Sequence, residues 1–345
     1  MLWQIVDNMK RLGTLPRCSN ESSLQIHLQD ERVLDCLVYT PEETSRGSIL
    51  MIHGMNPKGN ADPKWVQLCR LFCNCGFTVY SPYFESIASY KIEVSQIDLV
   101  ELCVLALSEN PLVCSAKKLK VVSVSFSVGI ALLAAGRISI RNRINGIFAI
   151  GGVVDFPLAV QDCLYNDKID QSVSTLLFYN FKQLSKSLCS VLEKCVSNLF
   201  NHQNIHWKEY LPELSGRDQN ELTQLMTSSH YRRWQWSQIH TFKEKSLHQL
   251  NPKDHLQYLS SHVYFLHGQS DSILTSEHSR IGAKIIGKKS SLCITPLIFH
   301  GTQTKSAIKM FLYGPSVVRC LWNFLSKPSE NPVDSFSNDI TLLSA

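Results

Sequence analysis

Three serines stand two residues apart in "VVSVSFSVGIALLAAG", residues 121 to 136, between β-branched residues and helix formers. A serine hydroxyl becomes a nucleophile when a strained strand-to-helix turn raises it and a neighbouring base takes its proton. Such a turn needs small residues around its apex, and the usual pattern is G-x-S-x-G. Read as Ser125-Phe126-Ser127-Val128-Gly129, the stretch fits with serine in place of the first glycine. This reading puts Ser127 at the apex, leaves Ser123 in the strand and turns Ser125 into the packed junction. The bland alternative is that all three serines only fill a turn.

The base and its orienting carboxylate must come from elsewhere in the chain. "HVYFLHGQSDSILTSEHS" places Asp271 just past an expected strand, and "CITPLIFHGTQT" places His300 at the end of the next, beside Gly301. Ser127, Asp271 and His300 are then the three required residue types, each at a strand end on one edge of a parallel sheet. His278, in the helix expected after Asp271, is a rival base, and Glu85 a rival acid. His53 and His267 each precede a glycine at a strand end, and one or both are expected to hold loops by hydrogen bonds rather than take part in catalysis. Asp62 reads as a helix cap. In "HYRRWQW", Arg232 or Arg233 invites a carboxylate or phosphate, but a helix with a solvated basic face over buried tryptophans explains the residues more simply.

The elements that would position these residues alternate. "SLQIHLQ" and "VLDCLVYTP" read as a hairpin turning at residues 30–32. "GSILMIHG" is a short apolar strand of the kind buried on both faces of a sheet. Helix, "FTVYSP", helix, "LKVVSVS", helix and "INGIFAIGG" follow with short links, which implies a doubly wound, mostly parallel sheet. Residues 1–20 have the spacing of an amphipathic helix. Residues 21–156 and 262–326 make the α/β core, and 157–261 read as a helical insertion capping the sheet's C-terminal edge, where open α/β sheets bind ligands. The last helix is expected to kink or split at Gly314-Pro315, and residues 327–345 form a polar tail expected to be disordered.

With these residues in place, the chain resembles the α/β-hydrolase family over about residues 25 to 325. "ILMIHG", "VSFSVGIALLAA", "YFLHGQSDSIL" and "IFHG" are similar to the family's first His-Gly strand, nucleophile elbow, acid loop and histidine loop. The resemblance implies Ser127 as nucleophile, Asp271 as acid and His300 as base, with the backbone N–H groups of Met55 and Val128 as the oxyanion hole. It implies hydrolysis of an ester, thioester or similar acyl bond, with no metal or organic cofactor. A peptidase or amidase using the same residues, or a silent fold used for binding, stays open as an alternative. The sequence departs from the family at Ser125, at Ile130, where a second glycine is frequent, and in lacking a glycine-rich loop after Gly54.

Composition limits the other classes. Hydrophobic residues make up 44% and charged ones 18% of 345 residues, enough for a large core that needs no disulfide or metal. The net charge of +5 is spread over several short stretches rather than one stripe, which argues against a nucleic-acid partner. The chain has twelve cysteines, of which Cys69, Cys103, Cys293 and Cys320 sit in apolar segments like small hydrophobes. Reduced thiols, and hence the cytoplasm of the producing or a host cell, are expected. The first residues lack a signal peptide's uncharged core. No apolar run has the length of a membrane span, so membrane contact would be peripheral. The expected partner is a small-molecule or lipid acyl substrate.

Overall fold

A computed structural model describes residues 18–110, 113, 118–166, 171–182, 184–200, 205–239, 248–299, 302–303 and 307–326. The short apolar segments form one eight-stranded sheet in the order β1-β2-β4-β3-β5-β6-β7-β8. Its strands are β1 (Cys18–His27), β2 (Val33–Pro41), β3 (Ser48–Ile52), β4 (Thr78–Pro82), β5 (Leu119–Val124), β6 (Ile144–Ile150), β7 (His262–Gly268) and β8 (Ser290–Thr295). The β1–β2 hairpin and the β2–β4 pair are antiparallel, and every other pairing is parallel.

The parallel strands are apolar on both faces because helices cover both. All five residues of β3 are buried. Leu50 and Ile52 point into one apolar layer, Ile49 and Met51 into the other, as the two-residue strand period requires. The first layer is completed by α3 (Ser95–Glu109), α4 (Phe126–Ala135) and α10 (Glu277–Ile286). The second is completed by α1 (Pro63–Asn74) and α11 (Ala307–Ser326). Cys69, Cys103, Cys293 and Cys320 are buried in these layers, as expected of small apolar residues. The Asp62 carboxylate accepts from Lys64 N and Trp65 N at 2.9 and 3.1 Å, the expected cap of α1.

Between β6 and β7 the described residues form helices and no strand: α5 (Phe156–Tyr165), α6 (Gln171–Phe181), α7 (Lys186–Phe200), α8 (Gly216–Thr227) and α9 (Ser229–Gln238). Helices α7 and α8 have an apolar cluster of their own, with Leu188, Leu192, Leu222 and Met226 at its centre. The end of the insertion packs instead on the core. Pro252 Cγ lies 3.2 Å from where a Cβ on Gly129 would stand. In α9, Arg232 is buried and donates to Leu225 O, so the basic face is not wholly solvated.

Three expectations need correction. Residues 18–20 belong to β1 rather than to an N-terminal helix, because they pair with the last residues of β2; residues 1–17 lie outside the described residues. "SLCITPLIF" is not one strand. Strand β8 stops at Thr295 before Pro296, which has no N–H to give a ladder, and Ile298–Phe299 pairs instead with Thr302–Gln303 in a separate two-stranded ribbon. Helix α11 continues through Pro315 and is not split there. The tail, 327–345, also lies outside the described residues.

Candidate functional site

The ladder of β5 fixes which serine stands at the turn. Val122, Ser123 and Val124 pair with Phe148, Ala149 and Ile150, and the strand ends there. Ser125 is therefore the first residue off the sheet, and Phe126 the first of α4. Its backbone has φ 56° and ψ −136°, a conformation that costs a residue with a Cβ about 1–3 kcal/mol. The surroundings hold it there. Ser125 N–H donates to Ile150 O at 2.9 Å, and Ser125 O accepts from Val128 N at 3.1 Å and Val153 N at 3.4 Å.

The expected apex, Ser127, lies elsewhere. It is fully buried in the first turn of α4 and donates its hydroxyl to His53 O at 2.6 Å. The strained position belongs to Ser125, which is half-buried. Val128 N–H, expected in the oxyanion hole, is committed to Ser125 O. The amide that follows the apex is Phe126 N–H, at the end of a helix where N–H groups have no intrahelical acceptor. Ser123 lies fully buried in the strand, as expected, and its hydroxyl has no partner among the described residues. The signal for Ser125 was present in the sequence: Ser123-Val124-Ser125-Phe126-Ser127 is G-x-S-x-G with serine at both glycine positions.

The loop after β3 passes directly beside the apex. A Cβ on Gly54 would stand 3.7 Å from the Cβ of Ser125. Met55, next in that loop, is buried. His53 holds the loop, as its position before a glycine suggested. Phe84 N–H can only donate, so the ring nitrogen that it meets at 3.0 Å, Nε2, carries no proton. The proton sits on Nδ1 and is donated to Gly54 O at 2.9 Å. Burial lowers the imidazole pKa to about 4, so the ring is neutral.

On the other side of β6, Asp271 follows β7. Its Oδ1 accepts from Ile273 N and Leu274 N at 2.9 and 3.0 Å. Its Oδ2 lies 3.7 Å from His267 Nε2, and 3.5 Å from where a Cβ on Gly151 would stand. Gly151 follows Ile150, the partner of Val124, so one strand separates the acid loop from the serine. His267 is fully buried, its Nε2–H donating to Leu274 O and its Nδ1 meeting Ser279 Oγ, again a loop-holding histidine. Gly268 allows the close approach of Ile298: a Cβ there would stand 2.2 Å from Ile298 O and 3.7 Å from Asp271 Cβ. His300 lies outside the described residues, two positions after Ile298.

The rivals fare differently. His278 is fully buried, with Nδ1 accepting from Val154 N and Asp155 N at 3.4 and 3.3 Å. Burial, reinforced by His267, lowers its pKa to about 4. Glu85 is exposed at the start of the four-residue helix α2 (Glu85–Ala88). His278 N–H donates to Thr275 O at 3.2 Å in the loop after Asp271, while its ring is committed to the two amides of the β6–α5 loop.

No protein-family model matches the chain, and neither does any curated protein. Solved structures do. An acylaminoacyl peptidase from Pyrococcus horikoshii is 12% identical with a TM-score of 0.53, over 94% of this chain and 44% of its own. An α/β hydrolase, GrgF, from Penicillium sp. sh18 is 15% identical with a TM-score of 0.53, over 89% and 98%. The esterase Pf2001 from Pyrococcus furiosus is 10% identical with a TM-score of 0.52, over 93% and 94%. The chain has the α/β-hydrolase fold. It spans less than half the length of the peptidase and nearly all of the two smaller hydrolases.

In this α/β-hydrolase fold, a cleft of about 370 Å³ lies between the core loops and the insertion. Pro57, Tyr83 and Tyr90 line one wall, and Ser190, Glu193 and Ser197 of α7 the other. Tyr83 also stacks on His53, with ring centroids 5.9 Å apart, so the cleft wall adjoins the loop beside Ser125. No group of three or more His, Cys, Asp or Glu side chains among the described residues could hold a metal ion. No helix among them is long and apolar enough to cross a membrane.

Proposed function

We propose that the chain is a serine hydrolase cleaving a carboxylic ester, thioester or related acyl bond through an acyl-enzyme on Ser125. The observation that carries the reading is the left-handed backbone of Ser125 at the junction of β5 and α4. Strain of this kind persists at functional sites where it aims a side chain. Ser125 Oγ attacks the substrate carbonyl while His300 takes its proton, and Asp271 holds the imidazole tautomer. Met55 N–H and Phe126 N–H receive the charge that develops on the carbonyl oxygen. His300 then protonates the leaving group, and water, deprotonated by the same ring, releases the acyl group. The close approach of Ile298 O to Gly268, three residues before Asp271, supports His300 as the partner of that carboxylate. The helical insertion serves as the cap that selects the substrate, a small-molecule or lipid acyl compound. Ten of the twelve cysteines are free thiols, in keeping with a reducing compartment.

The test is labelling with a fluorophosphonate followed by peptide mapping, alongside a panel of ester, thioester and peptide substrates. One adduct is expected, at Ser125, and Ser125→Ala should abolish it and lower turnover on the order of 10⁴- to 10⁶-fold. An adduct at Ser127 would return the nucleophile to that residue. A folded wild type that neither reacts nor turns over any substrate would overturn the enzyme reading in favour of a binding fold. Faster cleavage of peptides than esters would make the chain a peptidase with the same residues.

A further inference from the structure

We propose that Ser127 and His53 are positioning residues for the oxyanion donor Met55 N–H, His53 fixing the peptide plane that carries it and Ser127 the plane just before; this rests on the serine-hydrolase reading. In a trans peptide the C=O and the following N–H point in opposite directions in one plane, so a bond that fixes the carbonyl also aims the amide. The chain has no cis peptide bonds among the described residues. His53 O is held by the Ser127 hydroxyl at 2.6 Å, which fixes the plane carrying Gly54 N–H. Gly54 O is held by His53 Nδ1–H at 2.9 Å, which fixes the next plane, carrying Met55 N–H. The imidazole cannot swing, because Phe84 N–H holds Nε2 at 3.0 Å and Tyr83 stacks against the ring. Two consecutive planes are thus locked by two side chains, in a loop that lacks a run of glycines.

Ser127 occupies a position where G-x-S-x-G has a residue without a side chain, and glycine there could not make this bond. Its hydroxyl ties the first turn of α4 to the loop after β3, so the helix that presents Ser125 also sets the loop across from it. Donors for an oxyanion must sit about 2.7–3.1 Å from the position that the oxygen reaches in the transition state. A misplacement of about 1 Å costs about 10²-fold in rate. The ground-state carbonyl is less demanding, so losing the Ser127 bond should affect kcat and not KM.

The experiment compares wild type with Ser127→Ala and Ser127→Gly, which both remove the hydroxyl, and Ser127→Thr, which keeps it. The readouts are kcat and KM on the best ester of the panel, the inhibition constant of a matching trifluoromethyl ketone, the site of the fluorophosphonate adduct, and Tm. Loss of the hydroxyl should lower kcat about 10²-fold, leave KM within about twofold, and weaken the trifluoromethyl ketone by the same factor as kcat/KM. The adduct should stay on Ser125 and form more slowly, and Ser127→Thr should recover most of kcat. If one hydroxyl-free variant does not fold, the other carries the comparison. Unchanged kcat and inhibitor affinity, or a fall in kcat explained by partial unfolding and not recovered by Ser127→Thr, would overturn the proposal while leaving Ser125 as nucleophile. An adduct on Ser127 would overturn the proposal by making that residue the nucleophile, and an inert wild type would instead remove the hydrolase reading on which it stands.

Discussion

The two flanks of the site each bury a histidine, and they use it differently. On the β3 side, His53 is 1% exposed and both ring nitrogens are engaged, one donating to Gly54 O and one accepting from Phe84 N. On the β7 side, His278 is 0% exposed and spends one nitrogen on two amides of the β6–α5 loop, while its Nε2 has no partner among the described residues. Desolvation is the first cause of a pKa of about 4 in both. The difference lies in how completely each ring is satisfied, since an unpaired buried N–H costs about 1–3 kcal/mol. The similarity matters for chemistry. A general base works best with a pKa near the operating pH, and neither ring meets that condition. Burial makes these histidines good loop clamps and poor bases, which leaves the proton transfer to His300 in the proposed mechanism.

The largest effect that would test this division concerns the carboxylate on the β7 flank. Asp271→Asn should leave the fold intact and lower kcat by about 10⁴, because the histidine it orients would lose its working tautomer. Steady-state kinetics with Tm as control decides the matter. A loss below about tenfold would strip Asp271 of the acid role, with Glu85 next to be examined.

The second effect is one of stability. Both histidines have folded pKa values of about 4, below the unfolded value of about 6.5. Their contribution is therefore fully present above pH 6.5 and is lost as pH falls towards 4. Between pH 8 and pH 5 the two should remove about 4 kcal/mol of unfolding free energy, about 2 each. Urea denaturation at the two pH values measures it. In His278→Asn the loss from the histidine pair should shrink by half, and an unchanged loss would show that His278 is not the titrating group.

The smallest effect separates the clamps directly. In His53→Asn the side-chain amide can still donate to Gly54 O but leaves Phe84 N–H without its acceptor. In His278→Asn the side-chain oxygen can still accept from Val154 and Asp155 while the unpaired Nε2 disappears. His53→Asn should therefore be the more destabilising, by about 1–2 kcal/mol in the same urea measurement. Equal losses would mean that Nε2 of His278 has a partner in solution.

Much of the frame was legible from local chemistry. Fully apolar "SILMI" implied a strand covered on both faces, Asp62 before Pro63 implied a capped helix, and the alternation of short strands with helices implied the parallel sheet. Histidines before Gly54 and Gly268 were legible as loop holders, because a ring at a strand end finds backbone groups nearby. These readings depend on composition and near neighbours, which the sequence contains.

The choice among the three serines was not decided locally. They share a two-residue spacing, so each is equally able to end a strand, and the single glycine, Gly129, drew the apex to Ser127. Only the pairing of Val124 with Ile150 fixes where β5 stops, and that register comes from a neighbouring strand. Gly129 serves another contact: a Cβ there would stand 3.3 Å from Val153 O and 3.2 Å from Pro252 Cγ, distant partners that no local pattern announces. The strand expected to run up to His300 failed for a related reason, since Ile298 leaves β8 to pack against Gly268 and pair with Gln303. Sequence determined which residue types were available and roughly where. Tertiary structure decided which serine was strained and which hydroxyl was buried as a clamp, because strand register and close backbone approach are set between segments far apart in the chain.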